Sequence, residues 1–331
     1  MDAVLETRLR DQLLDRRHRL ESAIAEVGPA SDMIRLLKEV DSALERMDAR
    51  VFGVCEACKE SVDDDFLYAN PLIQYCLCRL TPEQQQALQN DLDLASRVQL
   101  ALLPKQDLEH AGWQIHYRYE PAGPVSGDYC DAVACGDGIG GCMYFLLGDV
   151  SGKGVAASFL MARLSAMFRS LLEVDLPLQN AVEKANRLFS ESTIASHYAT
   201  LVCGKAAAGG RVEIANAGHL PPLVLSRGEV RTVSSTGFPV GMFSQGPYSV
   251  QTIDLRAGDT LLLYTDGLTE ARDSSDREYG VERLSRVLLD RGAGSTRAVA
   301  AACLSDLATF LGGAPRTDDL TLMVVRRTRQ P

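Results

Sequence analysis

Positive charge is in short supply in this 331-residue sequence: 34 Lys and Arg stand against 44 Asp and Glu, a formal net charge of −10. That balance argues against a broad nucleic-acid or anionic-membrane surface and is compatible with no more than a local basic patch. Also missing is any apolar run of the roughly 18–20 residues that span a bilayer. The charged start Met1-Asp2-Ala3-Val4-Leu5-Glu6 lacks the apolar stretch of a signal peptide. The expectation is a cytoplasmic protein with neither nucleic acid nor membrane as partner. No internal repeat is visible. Two catalytic signatures are absent as well. Gly148–Gly154 does not follow the G-x-x-x-x-G-K-[ST] pattern of a phosphate loop, so Lys153 reads as part of a turn near substrate. Ser151 sits in no G-x-S-x-G elbow.

What is present is ordinary globular material. Hydrophobic residues make up 46% and charged residues 24%, enough to build a real core. The length suggests two domains or three. Residues 1–27 read as a helix with Leu5, Leu9, Leu13, Leu20, Ile24 and Val27 near one stripe. Gly28 and Pro29 break it, and Ser31 can cap a second helix. Met33, Leu37, Val40, Leu44, Met47 and Val51 follow at alternating spacings of four and three, a coiled-coil-like seam. The two segments read as an antiparallel hairpin or as two ordinary packed helices.

Thr81-Pro82-Glu83-Gln84 has the form of a helix start, with Thr81 as cap and Gln84 closing a capping box. This helix should stop before Pro104. It carries two apolar stripes, Leu88, Leu92, Ala95 and Leu102 on one side, Leu94, Val98 and Ala101 on another. Two stripes need two partners. A catalytic domain and a second subunit would serve, as would burial in one large core. From Gly112 onward short strands dominate, at Trp113–Tyr119, Met143–Leu147, Tyr198–Cys203, Arg211–Asn216, Leu223–Leu225, Val250–Leu255, Thr260–Tyr264 and Leu320–Val325. Helices are expected at Ala156–Leu172, Leu178–Ser192, Val281–Leu288 and Thr296–Leu311. The mixture predicts an α/β (α+β) fold of sheet layers flanked by helices.

Four acids sit beside glycines or other acids at predicted strand ends: Asp128, Asp149, Asp266 and Asp318. A carboxylate at the end of a buried strand is costly without a partner. Hard divalent cations such as Mg²⁺ or Mn²⁺ take oxygen ligands of this kind. Any one of these residues, Asp266-Gly267 above all, also reads as a turn. The joint pattern carries the information. His219, in Asn216-Ala217-Gly218-His219-Leu220-Pro221-Pro222, reads either as a turn-shaping residue or as a general acid.

In order, Ser126-Gly127-Asp128-Tyr129-Cys130-Asp131, Leu147-Gly148-Asp149-Val150-Ser151-Gly152-Lys153-Gly154, Asn216–Pro222, Tyr264-Thr265-Asp266-Gly267-Leu268-Thr269-Glu270-Ala271 and Asp318-Asp319-Leu320-Thr321 resemble the PPM protein phosphatases, in their RsbU/SpoIIE-like branch. The approach segment Ala95–Pro104 resembles that branch too, so the likeness spans about residues 90–327. It implies a β-sandwich flanked by helices with two Mn²⁺ or Mg²⁺ ions at one edge. Asp128, Asp149, Asp266 and Asp318 would be ligands and catalytic residues. Val150 would contribute its backbone carbonyl where many relatives have glycine, and Asp319 stands where relatives carry Asn or Asp. Cys130 and Ser126 replace a usual aromatic and a common glycine, and neither removes a ligand. The implied reaction is hydrolysis of phosphoserine or phosphothreonine by a water activated between two metals. The implied substrate is a phosphorylated protein, a STAS-type anti-sigma-factor antagonist of a partner-switching pathway. No substrate-binding residue is assigned.

Nine cysteines are present, four of them at Cys55, Cys58, Cys76 and Cys78. Four thiolates can hold one tetrahedral Zn²⁺, although the second knuckle is C-x-C where C-x₂-C is expected; reduced structural or redox cysteines are the alternative. Cys130, Cys135, Cys142, Cys203 and Cys303 read as small buried residues. Phe52-Gly53-Val54-Cys55 through Pro71 and Cys76, behind a helical hairpin, resembles the DksA/TraR zinc finger. The tip at Val27–Asp32 has no acidic pair, so the resemblance implies the fold without the polymerase activity. The expected organisation is 1–80, hairpin plus finger; 81–104, linker or regulatory helix; and 105–331, phosphatase domain, with homodimerisation through the N-terminal region or the linker helix. The alternative function is a transcription regulator acting on RNA polymerase through the N-terminal module. A third reading is a metal-binding scaffold.

Overall fold

The computed structural model describes residues 3–27, 31–62, 66–67, 70–76, 78, 80–136, 140–174, 176–191, 197–244 and 246–328. The chain divides into two compact units, Met1–Asp91 and Leu92–Pro331.

In the first unit, α1 (Ala3–Val27) and α2 (Ser31–Asp48) form an antiparallel hairpin. Arg10, early in α1, pairs with Asp48 at the end of α2. Leu9 and Leu13 of the predicted stripe meet Val40, Leu44 and Met47 in a core that continues into Phe52, Cys55, Val62 and Leu67. Val51 leaves the expected seam: α2 ends at Asp48, Arg50 turns the chain with φ of 56°, and Val51 is 48% exposed. The predicted helix break at Gly28-Pro29 lies outside the described residues. The capping box forms as expected at the start of α3 (Pro82–Leu102). The amide of Thr81 donates to Gln84 Oε1 at 2.9 Å and the amide of Gln84 to Thr81 Oγ1 at 3.3 Å.

The second unit runs β1 (Asp107–His110), β2 (Trp113–Glu120), β3 (Asp128–Cys135), β4 (Cys142–Val150), α4 (Gly154–Leu172), α5 (Leu178–Glu191), β5 (Ala199–Ala207), β6 (Arg211–Ala217), β7 (Leu223–Ser226), β8 (Glu229–Thr232), β9 (Gln251–Asp254), β10 (Thr260–Tyr264), α6 (Asp266–Thr269), α7 (Val281–Arg291), α8 (Thr296–Leu311) and β11 (Leu320–Arg327). One sheet has the order β1-β2-β11-β10-β7-β8 and the other β3-β4-β5-β6-β9. The pairs in both are antiparallel.

Strand side chains alternate between faces, and here both faces of each sheet are covered. On β4, Met143, Phe145 and Leu147 point between the sheets, where they meet Ile115, Val202, Leu261, Leu263 and Met323. Tyr144 and Leu146 point the other way, onto Met161, Leu164 and Phe168 of α4 and Val182 and Phe189 of α5. On the opposite side Leu262, Leu322 and Val324 pack on Leu284, Leu288, Val299 and Leu307 of α7 and α8. The result is the expected mixed α/β sandwich, helices outside two sheets. Double coverage explains why β4 reads as a continuous apolar run without alternation.

Helix α4 is long and apolar enough, by length and composition, to cross a membrane, a possibility the sequence reading set aside. Its Ala157, Met161, Leu164, Phe168 and Leu171 are buried in the core beneath it. Among the scattered cysteines, Cys130, Cys203 and Cys303 are buried as expected. Cys135 and Cys142 depart from that expectation. They face each other at the far end of the β3–β4 hairpin, Cα atoms 5.1 Å apart, and form a disulfide. Register brings them together, and spacing alone did not reveal it.

Candidate active site

Asp128 opens β3 and Asp149 is the penultimate residue of β4, and the two are Cα partners in the antiparallel register. Period two assigns both to the face between the sheets, in line with Cys130 and Ala132 on β3 and Leu147 on β4. Thr265 and Thr321 continue the inter-sheet faces of β10 and β11 at the same end of the sandwich. Their hydroxyls donate to Asp128 Oδ2 at 3.0 and 2.5 Å. Asp266 begins the one-turn helix α6 just past β10, and Asp318 lies two residues before β11. Each sheet therefore contributes two of the four predicted acids.

Backbone contacts hold these loops at close quarters. A β-carbon on Gly267 would sit 1.9 Å from the Asp319 carbonyl, so only glycine lets the turn after Asp266 press against the 318–319 segment. A β-carbon on Gly127 would lie 3.0 Å from the Val150 carbonyl oxygen, the atom proposed as a ligand. Asp319 accepts from the amides of Ala122 at 2.8 Å and Gly127 at 3.0 Å, which fixes the loop leading into Asp128. Lys153 Nζ reaches Asp318 Oδ2 at 3.2 Å and the Thr317 carbonyl at 3.0 Å.

Charge is the dominant property of this corner. Burial, then the neighbouring Asp149, holds the Asp128 carboxyl well above the usual carboxylate range. Asp149 is pushed up to about 8 by burial and by Asp266, Asp318 and Asp319, with Lys153 opposing. Asp266 is raised by burial and Asp318. Asp128 is 1% exposed, and its second oxygen, Oδ1, is buried without a hydrogen-bond partner. A buried carboxylate oxygen left unpaired among other carboxylates costs free energy unless a proton or a cation supplies the missing partner. The all-oxygen donor set suits Mg²⁺ or Mn²⁺. The residues present fit such ions.

Four contributors to the site carry little or no signal in the sequence. Gln99, the one buried residue of α3, mimics a strand edge: its Nε2 donates to the Ser126 carbonyl at 2.6 Å and its Oε1 accepts the Ser126 amide at 2.9 Å. Ser126 Oγ in turn accepts the Asp128 amide at 3.0 Å. A polar residue beside a stripe of leucines gave no sequence signal. Tyr119 places a buried hydroxyl near the site, its pKa raised by burial, opposed by the Ser126 hydroxyl, with Asp128 and Asp319 adding to the rise. Thr265 and Thr321 were visible only as parts of motifs. The other face of α3 is not absorbed into one large core, since Leu94 is 53% and Val98 56% exposed.

Asp131 lies apart from the acid cluster. It is buried and takes two 2.6 Å hydrogen bonds from Arg169 of α4, which ties that helix to β3. His219 Nε2 donates to the Tyr264 carbonyl at 3.1 Å, so Nδ1 accepts from Thr200 Oγ1 at 2.8 Å. Burial lowers its pKa to about 4. The imidazole is neutral and fully engaged, which favours the turn-shaping role over the general acid.

In the first unit, the sulfurs of Cys55, Cys58, Cys76 and Cys78 lie within 4.8 Å of one another. Cys55 and Cys78 are 3.6 Å apart and Cys58 and Cys76 3.4 Å. A tetrahedral Zn–S site at about 2.3 Å has sulfurs roughly 3.8 Å apart, so the C-x-C knuckle reaches. Backbone amides of Cys58 and Cys76 draw the Cys55 thiol down to about 6. Among the described residues this is the sole group of three or more His, Cys, Asp or Glu so tightly gathered.

Known proteins resemble this arrangement. The chain is 28% identical over 270 residues to Protein IcfG of Synechocystis sp., covering 72% of this chain and 41% of that protein. It is 26% identical over 191 residues to phosphoserine phosphatase RsbU of Bacillus subtilis, covering 57% and 56%. The chain thus spans about half the length of these curated relatives. The SiaA-PP2C domain of Pseudomonas aeruginosa superposes with a TM-score of 0.63 at 21% identity, over 75% of this chain and 99% of that one, which shows a shared fold. Residues 139–328, more than half of the sequence and including Asp149, Asp266 and Asp318, match the family Stage II sporulation protein E (SpoIIE), and the chain belongs to that family.

Proposed function

We propose that this chain is a metal-dependent phosphoprotein phosphatase that hydrolyses phosphoserine or phosphothreonine on a regulatory protein. The observation that carries the reading is the buried, unpaired Oδ1 of Asp128 among three further acids from two sheets. In this reading Asp128, Asp149, Asp266 and Asp318 hold two Mn²⁺ or Mg²⁺ ions, with the Val150 carbonyl and Asp319 at their margin. When bound, such ions activate water and offset charge on a phosphoryl group. The chain's own residues do the positioning. Thr265 and Thr321 fix one oxygen of Asp128 and leave the other free to bind. Asp319 pins the loop before it. His219 joins the end of β10 to β5. Membership in a family whose curated relatives include a phosphoserine phosphatase supports the reaction.

The proposed substrate is a STAS-type anti-sigma-factor antagonist in a partner-switching pathway, and the proposed setting is the cytoplasm. The proposed organisation keeps a hairpin with a DksA/TraR-like finger at 1–80, a regulatory helix at 81–104 and the phosphatase at 105–331. The cysteine cluster would hold one structural Zn²⁺, and the exposed stripe of α3 would join two copies. The test is hydrolysis of p-nitrophenyl phosphate and of phosphorylated STAS proteins with Mn²⁺, Mg²⁺ or EDTA. Turnover that needs a divalent ion supports the reading; no turnover with either ion sinks it.

A further inference from the structure

Helix α4 starts beside the acid cluster and leaves its first turns open. Lys153, the residue before it, is the cation tied to Asp318 at 3.2 Å, with its side chain 48% exposed. Val155 and Phe159, one helical turn apart and so on one face, are 43% and 71% exposed, while the opposite face of α4 is buried on the sheet. Phe159 is the most exposed large apolar side chain among the described residues. Solvating an aromatic ring this fully is unfavourable, and Phe159 shares its exposed helix face with Val155 on the helix that Lys153 precedes.

We propose that the start of α4 is the substrate-reading surface: Lys153 takes the phosphoryl group, and Val155 with Phe159 takes an apolar side chain of the same extended segment. The inference rests on the phosphatase reading. It commits to a phosphorylated protein segment because the cation tied to Asp318 directly precedes the helix that carries the apolar pair. Charge complementarity points the same way, since a phosphate dianion can replace Asp318 as the partner of Lys153. Six residues at about 1.5 Å each separate Lys153 from Phe159 along the helix, roughly 9 Å. An extended peptide advances about 3.3 Å per residue, so the apolar side chain lies about three positions from the phosphoserine.

The experiment uses the full chain with Mn²⁺, p-nitrophenyl phosphate, inorganic phosphate as inhibitor, and phosphoserine peptides carrying leucine at each of four positions on either side. The expected result is a peptide preference of about tenfold in kcat/KM for leucine about three positions away. Phe159→Ala should erase that preference and lower kcat/KM for the peptide at least fivefold more than for p-nitrophenyl phosphate. Lys153→Met should weaken inhibition by inorganic phosphate about tenfold, and Lys153→Arg should restore part of it. Thermal melts of each variant check folding. If wild-type enzyme turns over neither substrate, the underlying phosphatase reading fails. If it turns over both and Phe159→Ala lowers them equally, the surface assignment is wrong. A Phe159→Asp variant with altered oligomeric mass would give the face to a second copy of the chain. Loss of vesicle binding in that variant would give it to a lipid surface. Either outcome overturns the proposal.

Discussion

Asp128 and Asp149 face each other across β3 and β4, on the side of the sheet that points into the sandwich. Opposed like charges in a ladder are destabilising, and this pair adds burial to repulsion. Burial, then the charges of Asp266, Asp318 and Asp319, push the Asp149 carboxyl up to about 8, with Lys153 opposing. A carboxyl raised by folding contributes stability that is complete below its unfolded value, near 3.9, and lost as pH climbs toward 8. In EDTA, the melting temperature should fall between pH 5 and pH 8. Asp149→Asn should flatten that decline, raise the melting temperature at pH 8, and abolish stabilisation by Mn²⁺. Calorimetry across this range decides; identical slopes for both proteins would count against the assignment.

Asp128→Asn and Asp266→Asn should each lower phosphatase turnover by about a thousandfold or more while circular dichroism stays native. In such sites bound metals would activate the attacking water and offset charge in the transition state, so losing a ligand raises the barrier. Asp266→Asn retaining wild-type turnover in Mn²⁺ would end the two-metal account.

Thr265→Val and Thr321→Val remove the hydroxyls that orient Asp128. Partners one shell out from a ligand typically change affinity by about 10- to 100-fold. Titration calorimetry with Mn²⁺ should show a loss in that range, larger for the double variant. Unchanged affinity would mean Asp128 is positioned by the strand alone.

His219 should titrate near 4 and be neutral at neutral pH. A histidine depressed by folding contributes stability that is present above its unfolded value, near 6.5, and lost as pH falls toward 4. Carbon-detected NMR of the imidazole gives the value directly. A titration at 6.5 or above would reopen the general-acid role.

Much of this was legible beforehand. Most strands followed from apolar runs, the strand-end placement of the four acids from their glycine and acid neighbours, and the capping box from Thr81-Pro82-Glu83-Gln84. Strand β3 did not, because Asp128 and Asp131 sit within it. Asp131 is tolerated there because Arg169, thirty-eight residues on, pairs with it, with the Ala132 amide and the Tyr129 hydroxyl as further donors. The disulfide of Cys135 and Cys142 depended on register, and Gln99 on a backbone partner twenty-seven residues away. What local pattern cannot carry is this kind of long-range pairing.

Gln99→Ala leaves two buried backbone groups of Ser126 without partners, a cost of about 1–3 kcal/mol each at most. The variant should melt lower and need more Mn²⁺ for half-maximal activity, because Ser126 supports Asp128. Val98→Glu, on the exposed stripe, should instead change oligomeric mass and, through it, activity. A dimer with activity unchanged by Val98→Glu would disconnect α3 from regulation.

Elemental analysis of the purified chain should find one zinc per molecule, lost in Cys55→Ser and in Cys78→Ser. Both residues belong to the clustered four. Metal retained by Cys78→Ser would reduce the site to three cysteines and leave the C-x-C knuckle outside it.

The division of the acids between layers has a mechanical corollary. Asp128 and Asp149 ride on one sheet, Asp266 and Asp318 on loops of the other, and Asp319 stitches the two at their rim. A small shear of one sheet across the other would misalign the quartet without unfolding anything. On the proposed phosphatase reading, setting that alignment by gripping a single layer is all that an activator would have to do.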